Sequence, residues 1–164
     1  MRRALDSAPE KPTQTEVIPE RELFCFRVAN LRLAFPAVNV REVIRPSPMT
    51  PLPRTPAFLM GVCGHRGEVL PTIDVLRFLA RGEMVVGHRS RLLIGISGTY
   101  VAAFLADGVV GLQRVQVEQI LPAPLSGDAS YEYLDGVVQQ PEGALHVVNV
   151  PRLLQAIRQR VVSR

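Results

Sequence analysis

The sequence predicts an all-β protein with a few short helices, arranged as two small barrels and finished by a C-terminal helix. Three observations predict it. Short apolar runs of strand length recur along the chain, each bounded by turn residues. Helical patterning is confined to a short stretch after Asp74 and to the end of the chain. The segment Gly61 to Leu79 returns, shifted by 75 positions, as Gly136 to Leu154, and such an echo suggests two similar β units.

The first strands are residues 22 to 28 (ELFCFRV) and the alternating run LRLAF from Leu31 to Phe35, joined at Ala29-Asn30. Asn tolerates the left-handed backbone of a tight turn, which makes position 30 the expected corner. Residues 37 to 45 (AVNVREVIR) read equally as a short helix or a strand; either form lets Val40 and Glu42 approach the opening of a later hairpin. Five prolines between Pro46 and Pro56 then remove backbone donors and set an extended, stiff loop.

Gly61 to Leu79 reads as strand, tight turn at Gly64 to Gly67, strand from Glu68 to Ile73, and a helix from Val75 to Leu79 capped by Asp74 and ended by Gly82. The spacing of Gly61, Gly64 and Gly67 imitates a phosphate loop. A dinucleotide fingerprint needs a helix directly after its glycines, whereas a strand containing Pro71 follows here. Arg91 to Ile96 and Thr99 to Leu105 form a hairpin around Ser97-Gly98, and Asp107-Gly108 marks another corner. Val109 to Leu121 is one bent strand or two short ones, and Ser126 to Tyr131 is a loop. In the echo, Gly136, Val137, Leu145, Val150, Arg152 and Leu154 repeat Gly61, Val62, Leu70, Val75, Arg77 and Leu79, while Asn149 takes the capping place of Asp74. The closing helix carries Leu153, Leu154, Ile157 and Val161 on one stripe, suited to sealing a barrel or a seam.

Composition narrows the function. The first twenty residues mix charge signs with three prolines and lack an apolar run, so they read as a flexible tail rather than a secretory signal, ahead of a domain over residues 21–164. How the strands divide between the two barrels, in contiguous or exchanged blocks, is not set by the sequence. No run nears the roughly 18 apolar residues of a membrane span, so a cytoplasmic protein with no direct membrane insertion is expected. Cys25 and Cys63 lie in apolar strands and read as buried reduced thiols; His65, His88 and His146 are scattered, and neither a metal nor a cofactor site is indicated. A charge of +4 raises a small basic barrel that binds nucleic acid as an alternative, but arginines are dispersed and aromatics make up only 5%, leaving little to stack on bases. No acid/base pair, activated nucleophile or G-x-S-x-G elbow stands out, so no catalytic residue is assigned.

The segment GVCGHRGEVLPTIDVLRFL resembles the signature of CheW domains, G-V-x-N-L-R-G-x-V-x-P-V-I-D-L, at Gly61, Val62, Arg66, Gly67, Val69, Pro71, Ile73 and Asp74. LRLAFPAVNVREVIRP, TPAFLMGV, VAAFLADGV, YLDGVV and ALHVVNVPRLL follow the family in order, over roughly residues 21 to 160. The resemblance implies two SH3-like five-stranded β-barrels packed together and a non-catalytic adaptor. One surface would bind the cytoplasmic tip of a methyl-accepting chemoreceptor and another the regulatory domain of a CheA-type histidine kinase, in arrays at the inner membrane. A divergent member that binds receptor but not kinase, in a specialised pathway such as motility, is the alternative.

By motif, Val40, Arg66 and Gly67 carry over as receptor-binding positions. Burial frequencies alone would make Val40 core and Arg66 an ordinary turn residue. Glu42 matches a family glutamate and is expected to pair with Arg66 and shape the groove. Gly64 and His65 replace the family's Asn-Leu, which marks them as positions of altered partner specificity.

Overall fold

A computed structural model describes residues 17–124 and 128–162. Most of the expected tail and residues 125–127 of the late loop fall outside the described residues. Among the described residues there are ten strands: β1 (Glu20–Val28), β2 (Leu31–Pro36), β3 (Val40–Ile44), β4 (Leu59–His65), β5 (Glu68–Ile73), β6 (Arg91–Ser97), β7 (Tyr100–Ala106), β8 (Gly108–Gln116), β9 (Leu134–Gln140) and β10 (Gly143–Val148). Two helices, α1 (Val75–Phe78) and α2 (Val150–Val162), follow β5 and β10.

The strands form two five-stranded sheets, ordered β9-β10-β2-β1-β8 and β3-β6-β7-β5-β4. Each curls shut by the same device. Past β8, Leu121 bridges Val137 on β9; past β3, Thr50 bridges Val62 on β4. The second barrel is thus continuous in sequence, from β3 to β7, and lies between the β1-β2 hairpin and the β8-to-β10 block that complete the first. In both barrels a three-strand block is closed by a hairpin through one parallel contact, β10 to β2 and β5 to β7.

The 75-residue echo is a structural repeat. β4, β5 and the start of α1 superpose in numbering on β9, β10 and α2, and both hairpins bulge at the same place, between Leu59 and Gly61 and between Leu134 and Gly136. Asp74 Oδ1 accepts the Arg77 amide, and Asn149 Oδ1 accepts the Arg152 amide, so both caps hold their helices alike.

β1 buries both faces, which explains its unbroken apolar run. Leu23 and Cys25 point into the first barrel with Ala34, Val115, Val138, Leu145 and Val147. Phe26 and Val28, with Leu33 and Phe35 of β2, join the larger core shared with the second barrel. Across that seam Phe35 meets Phe26 edge-on at 5.0 Å and Phe104 of β7 at 5.2 Å. Gly95 makes room for this stack, since a β-carbon there would lie 2.9 Å from the Phe104 ring. α2 leaves the first barrel and packs on β6 and β7 of the second, burying Leu153, Leu154 and Ile157. Among the described residues no helix is long and apolar enough to cross a membrane.

Several local expectations change. Residues 37 to 45 divide into a 3-10 turn, Ala37–Asn39, and the strand β3. The left-handed corner of the first hairpin is Ala29 (φ 53), not Asn30. Its amide donates to the carboxylate of Asp107, so a long-range contact outweighs local preference. α1 likewise ends on Ala80 (φ 57) rather than at Gly82, with the Arg81 amide returning to the Leu76 carbonyl at 2.8 Å. The long segment after Gly108 stops as a strand at Gln116 and turns through Val117–Gln119 to reach Leu121. A 3-10 turn, Ala129–Tyr133, begins within the expected loop Ser126 to Tyr131 and runs past its end.

Candidate functional site

The residues singled out from the sequence lie on two neighbouring elements of the second barrel, the edge strand β3 and the β4-β5 hairpin. Gly67 (φ 80) and Arg66 (φ 52) are the two central residues of that hairpin. Positive φ at both is what a type I′ turn requires. Gly67 supplies it freely, whereas Arg66 adopts a conformation that costs a residue with a β-carbon about 1–2 kcal/mol.

On β3, Val40 is half-buried against the core and pairs with Gly95. The ladder then slips, so that Glu42 pairs with Ile94 and Arg41 becomes the extra residue of a bulge. Glu42 is the centre of a charge cluster. Its Oε1 lies 3.6 Å from Arg66 Nη2, while its Oε2 lies 3.2 Å from His65 Nε2 and 4.0 Å from Arg41 Nε. Arg41 spends its own Nη2 on Glu68 Oε1, at 2.7 Å. The carboxylate of Glu42 is three-quarters shielded, with 25% of the side chain exposed, against 75% for Arg66. A pair this open at one end contributes about 0–1 kcal/mol, so its effect is to fix where the turn sits beside β3.

His65 turns inward from the hairpin. Its Nε2 is sealed from solvent and lacks the alignment for a hydrogen bond, although the Glu42 oxygen is within range. Gly64 is open: a β-carbon there would meet nothing closer than the Glu68 carbonyl oxygen, at 3.9 Å. Without a side chain at Gly64, its cross-strand partner Val69 is left bare at 70% exposure.

Arg41 and Glu68 join this cluster but were not singled out from the sequence. Val38, two residues before Val40, is 82% exposed. Val69, a signature position, is exposed next to the buried Leu70 and by strand alternation faces the opposite side of the hairpin from Glu68. Arg41 gave no sequence signal, since its place in the cluster comes from the bulge.

Away from this face, Cys25 and Cys63 are buried free thiols, and burial pushes the Cys25 thiol above its ordinary range. Among the described residues no group of three or more His, Cys, Asp or Glu side chains is placed to hold a metal ion.

Two packed barrels that present a charged hairpin beside a valine-bearing edge strand define a protein-docking scaffold. The chain belongs to the CheW-like domain family, whose model matches residues 22–158. It is 54% identical over 159 residues to Protein FrzA of Myxococcus xanthus, spanning 96% of this chain and 99% of that one. With Chemotaxis protein CheW of Klebsiella aerogenes it shares 27% identity over 144 residues, 87% of each chain. The crystal structure of the scaffolding protein TtCheW from Thermoanaerobacter tengcongensis matches with a TM-score of 0.73 at 20% identity, over 85% of this chain and 90% of that one. At that identity the likeness establishes the fold. The chain is a non-catalytic CheW-like scaffold of chemosensory signalling.

Proposed function

We propose that this protein couples chemoreceptors of the methyl-accepting type to a CheA-type histidine kinase, on the cytoplasmic side of the inner membrane within receptor arrays. The observation that carries the reading is the joining of the β4-β5 turn to β3 through Arg66 and Glu42, 3.6 Å apart. That contact sets a polar lip beside Val40. A receptor tip is a helical hairpin, which docks by laying apolar anchors along a groove and setting polar residues at its rim. Val40, with the exposed Val38 two residues before it, offers apolar contact; Glu42, Arg66 and Arg41 offer the charged rim. Gly67 serves the same face indirectly, by allowing the turn. The kinase regulatory domain, which shares the CheW fold, would dock barrel to barrel on a separate surface.

The experiment for the receptor face is charge reversal. A folded Arg66→Glu variant should bind a receptor tip fragment several-fold more weakly, because it sets two carboxylates against each other where an ion pair stood. Unchanged affinity would remove this face from the receptor interaction.

A further inference from the structure

The sealed Nε2 of His65 has no counterpart in the family signature, where leucine stands at this position. A leucine makes no demand on Glu42; an imidazole does. Resting on the receptor face proposed above, we propose that His65 is a positioning residue for the Glu42–Arg66 pair: on taking up a proton it neutralises the carboxylate and loosens Arg66, and receptor binding weakens as the pH falls.

The charges facing His65 can be followed from each element packed around it. β3 supplies Arg41 and Glu42, β5 supplies Glu68 directly across from His65, and the turn supplies Arg66. Arg41 is occupied by Glu68 at 2.7 Å and reaches Glu42 only at 4.0 Å. With His65 neutral, Glu42 and Arg66 therefore balance each other. A proton on His65 puts a second cation beside the same carboxylate, on the oxygen that Arg66 does not use. The two cations are not equal, because His65 is closer, at 3.2 Å against 3.6 Å, and far less exposed, at 20% against 75%.

Solvent and salt screen the outer pair much more than the inner one. The imidazolium neutralises the carboxylate from the buried side and repels the neighbouring guanidinium, so Arg66 is released towards solvent and the turn loses its tie to β3. Histidine is the residue type suited to this, because its ring can gain or lose a proton near neutral pH.

The test measures affinity for a helical-hairpin fragment spanning the tip of a methyl-accepting receptor from the same genome, by calorimetry between about pH 8 and about pH 5.5, which brackets the ordinary histidine range. The wild-type chain should bind about threefold more weakly at the acid end, the size of one exposed ion pair. His65→Leu and His65→Gln, which cannot take the proton, should bind with no such loss. The guanidinium Nε–H resonance of Arg66, followed by NMR without any receptor, should shift over the same range in the wild-type chain and stay fixed in His65→Leu. A wild-type affinity that is flat or rises on acidification overturns the inference, as does a pH profile unchanged in His65→Leu. Weaker binding of His65→Leu at every pH with the wild-type slope would make His65 merely structural and overturn it too. Absence of wild-type binding at all pH values removes the receptor face and this inference together, while an Arg66 resonance that ignores pH removes the inference alone.

Discussion

Gly61 and Gly136 are the same residue of two barrels: a β-carbon on the first would lie 2.7 Å from the Thr50 carbonyl oxygen, and on the second 2.5 Å from that of Leu121. Thr50 and Leu121 are the residues that close the two barrels, by bridging Val62 and Val137. The glycines are therefore required where one strand crosses against the closing segment. Gly61 also has a left-handed φ of 148.

Gly61→Ala and Gly136→Ala should each destabilise the protein by about 1–3 kcal/mol, because the atoms in the way are backbone and cannot rotate aside. Thermal unfolding should show each variant melting several degrees below the wild type, at about 2–4 °C per kcal/mol for a domain of this size. Wild-type melting of either variant would contradict the close approach.

The two helix caps are matched in geometry and should differ in cost. Asp74 is 2% exposed, and its Oδ2 also accepts the amide of Met84 at 2.8 Å. Asp74→Ala should cost about 2–4 kcal/mol, the cap plus a stranded buried donor. Asn149 has an exposed second partner in Asp135, so Asn149→Ala should cost about 1 kcal/mol. Denaturant titration of the two variants measures the difference, and equal losses would count against it.

Cys25 should resist alkylation in the folded protein. Only a thiolate attacks, and desolvation by burial raises the Cys25 pKa despite the opposing charge of Arg32. Mass spectrometry after iodoacetamide treatment should find Cys25 unmodified in buffer and modified in denaturant. Rapid labelling under native conditions would contradict the burial.

Arg66→Gly separates folding from binding. It relieves the left-handed strain at φ 52 while keeping the two-residue turn, so stability should hold or rise by up to about 1 kcal/mol. Receptor affinity should nevertheless fall, because the guanidinium facing Glu42 is gone. A variant that melts lower than the wild type would show that the side chain holds the fold rather than the face.

Much of this architecture was legible because its causes are local. The β4-β5 and β9-β10 hairpins announce themselves through repeated glycines, alternating apolar residues and a cap one residue past the strand. β1 announces its double burial by an unbroken apolar run. What stayed hidden depends on distant residues. Ala29 takes the left-handed corner because Asp107 holds its amide, and no propensity at position 29 reports that. The placement of α2 on the opposite barrel, and the insertion of one barrel's strands between those of the other, follow from the seam around Phe35 and Phe104. In the candidate site, the pairing of Glu42 with Arg66 could be expected from the family resemblance. The entry of His65 into the cluster could not, since it needs the inward face of the last residue of β4.

The most direct test of the coupling role is size-exclusion chromatography of the chain with a receptor tip fragment and a CheA-type kinase regulatory domain, each alone and both together. The account predicts that the chain comigrates with each partner separately and that all three elute as one larger complex. Elution of the chain by itself in every mixture would contradict it.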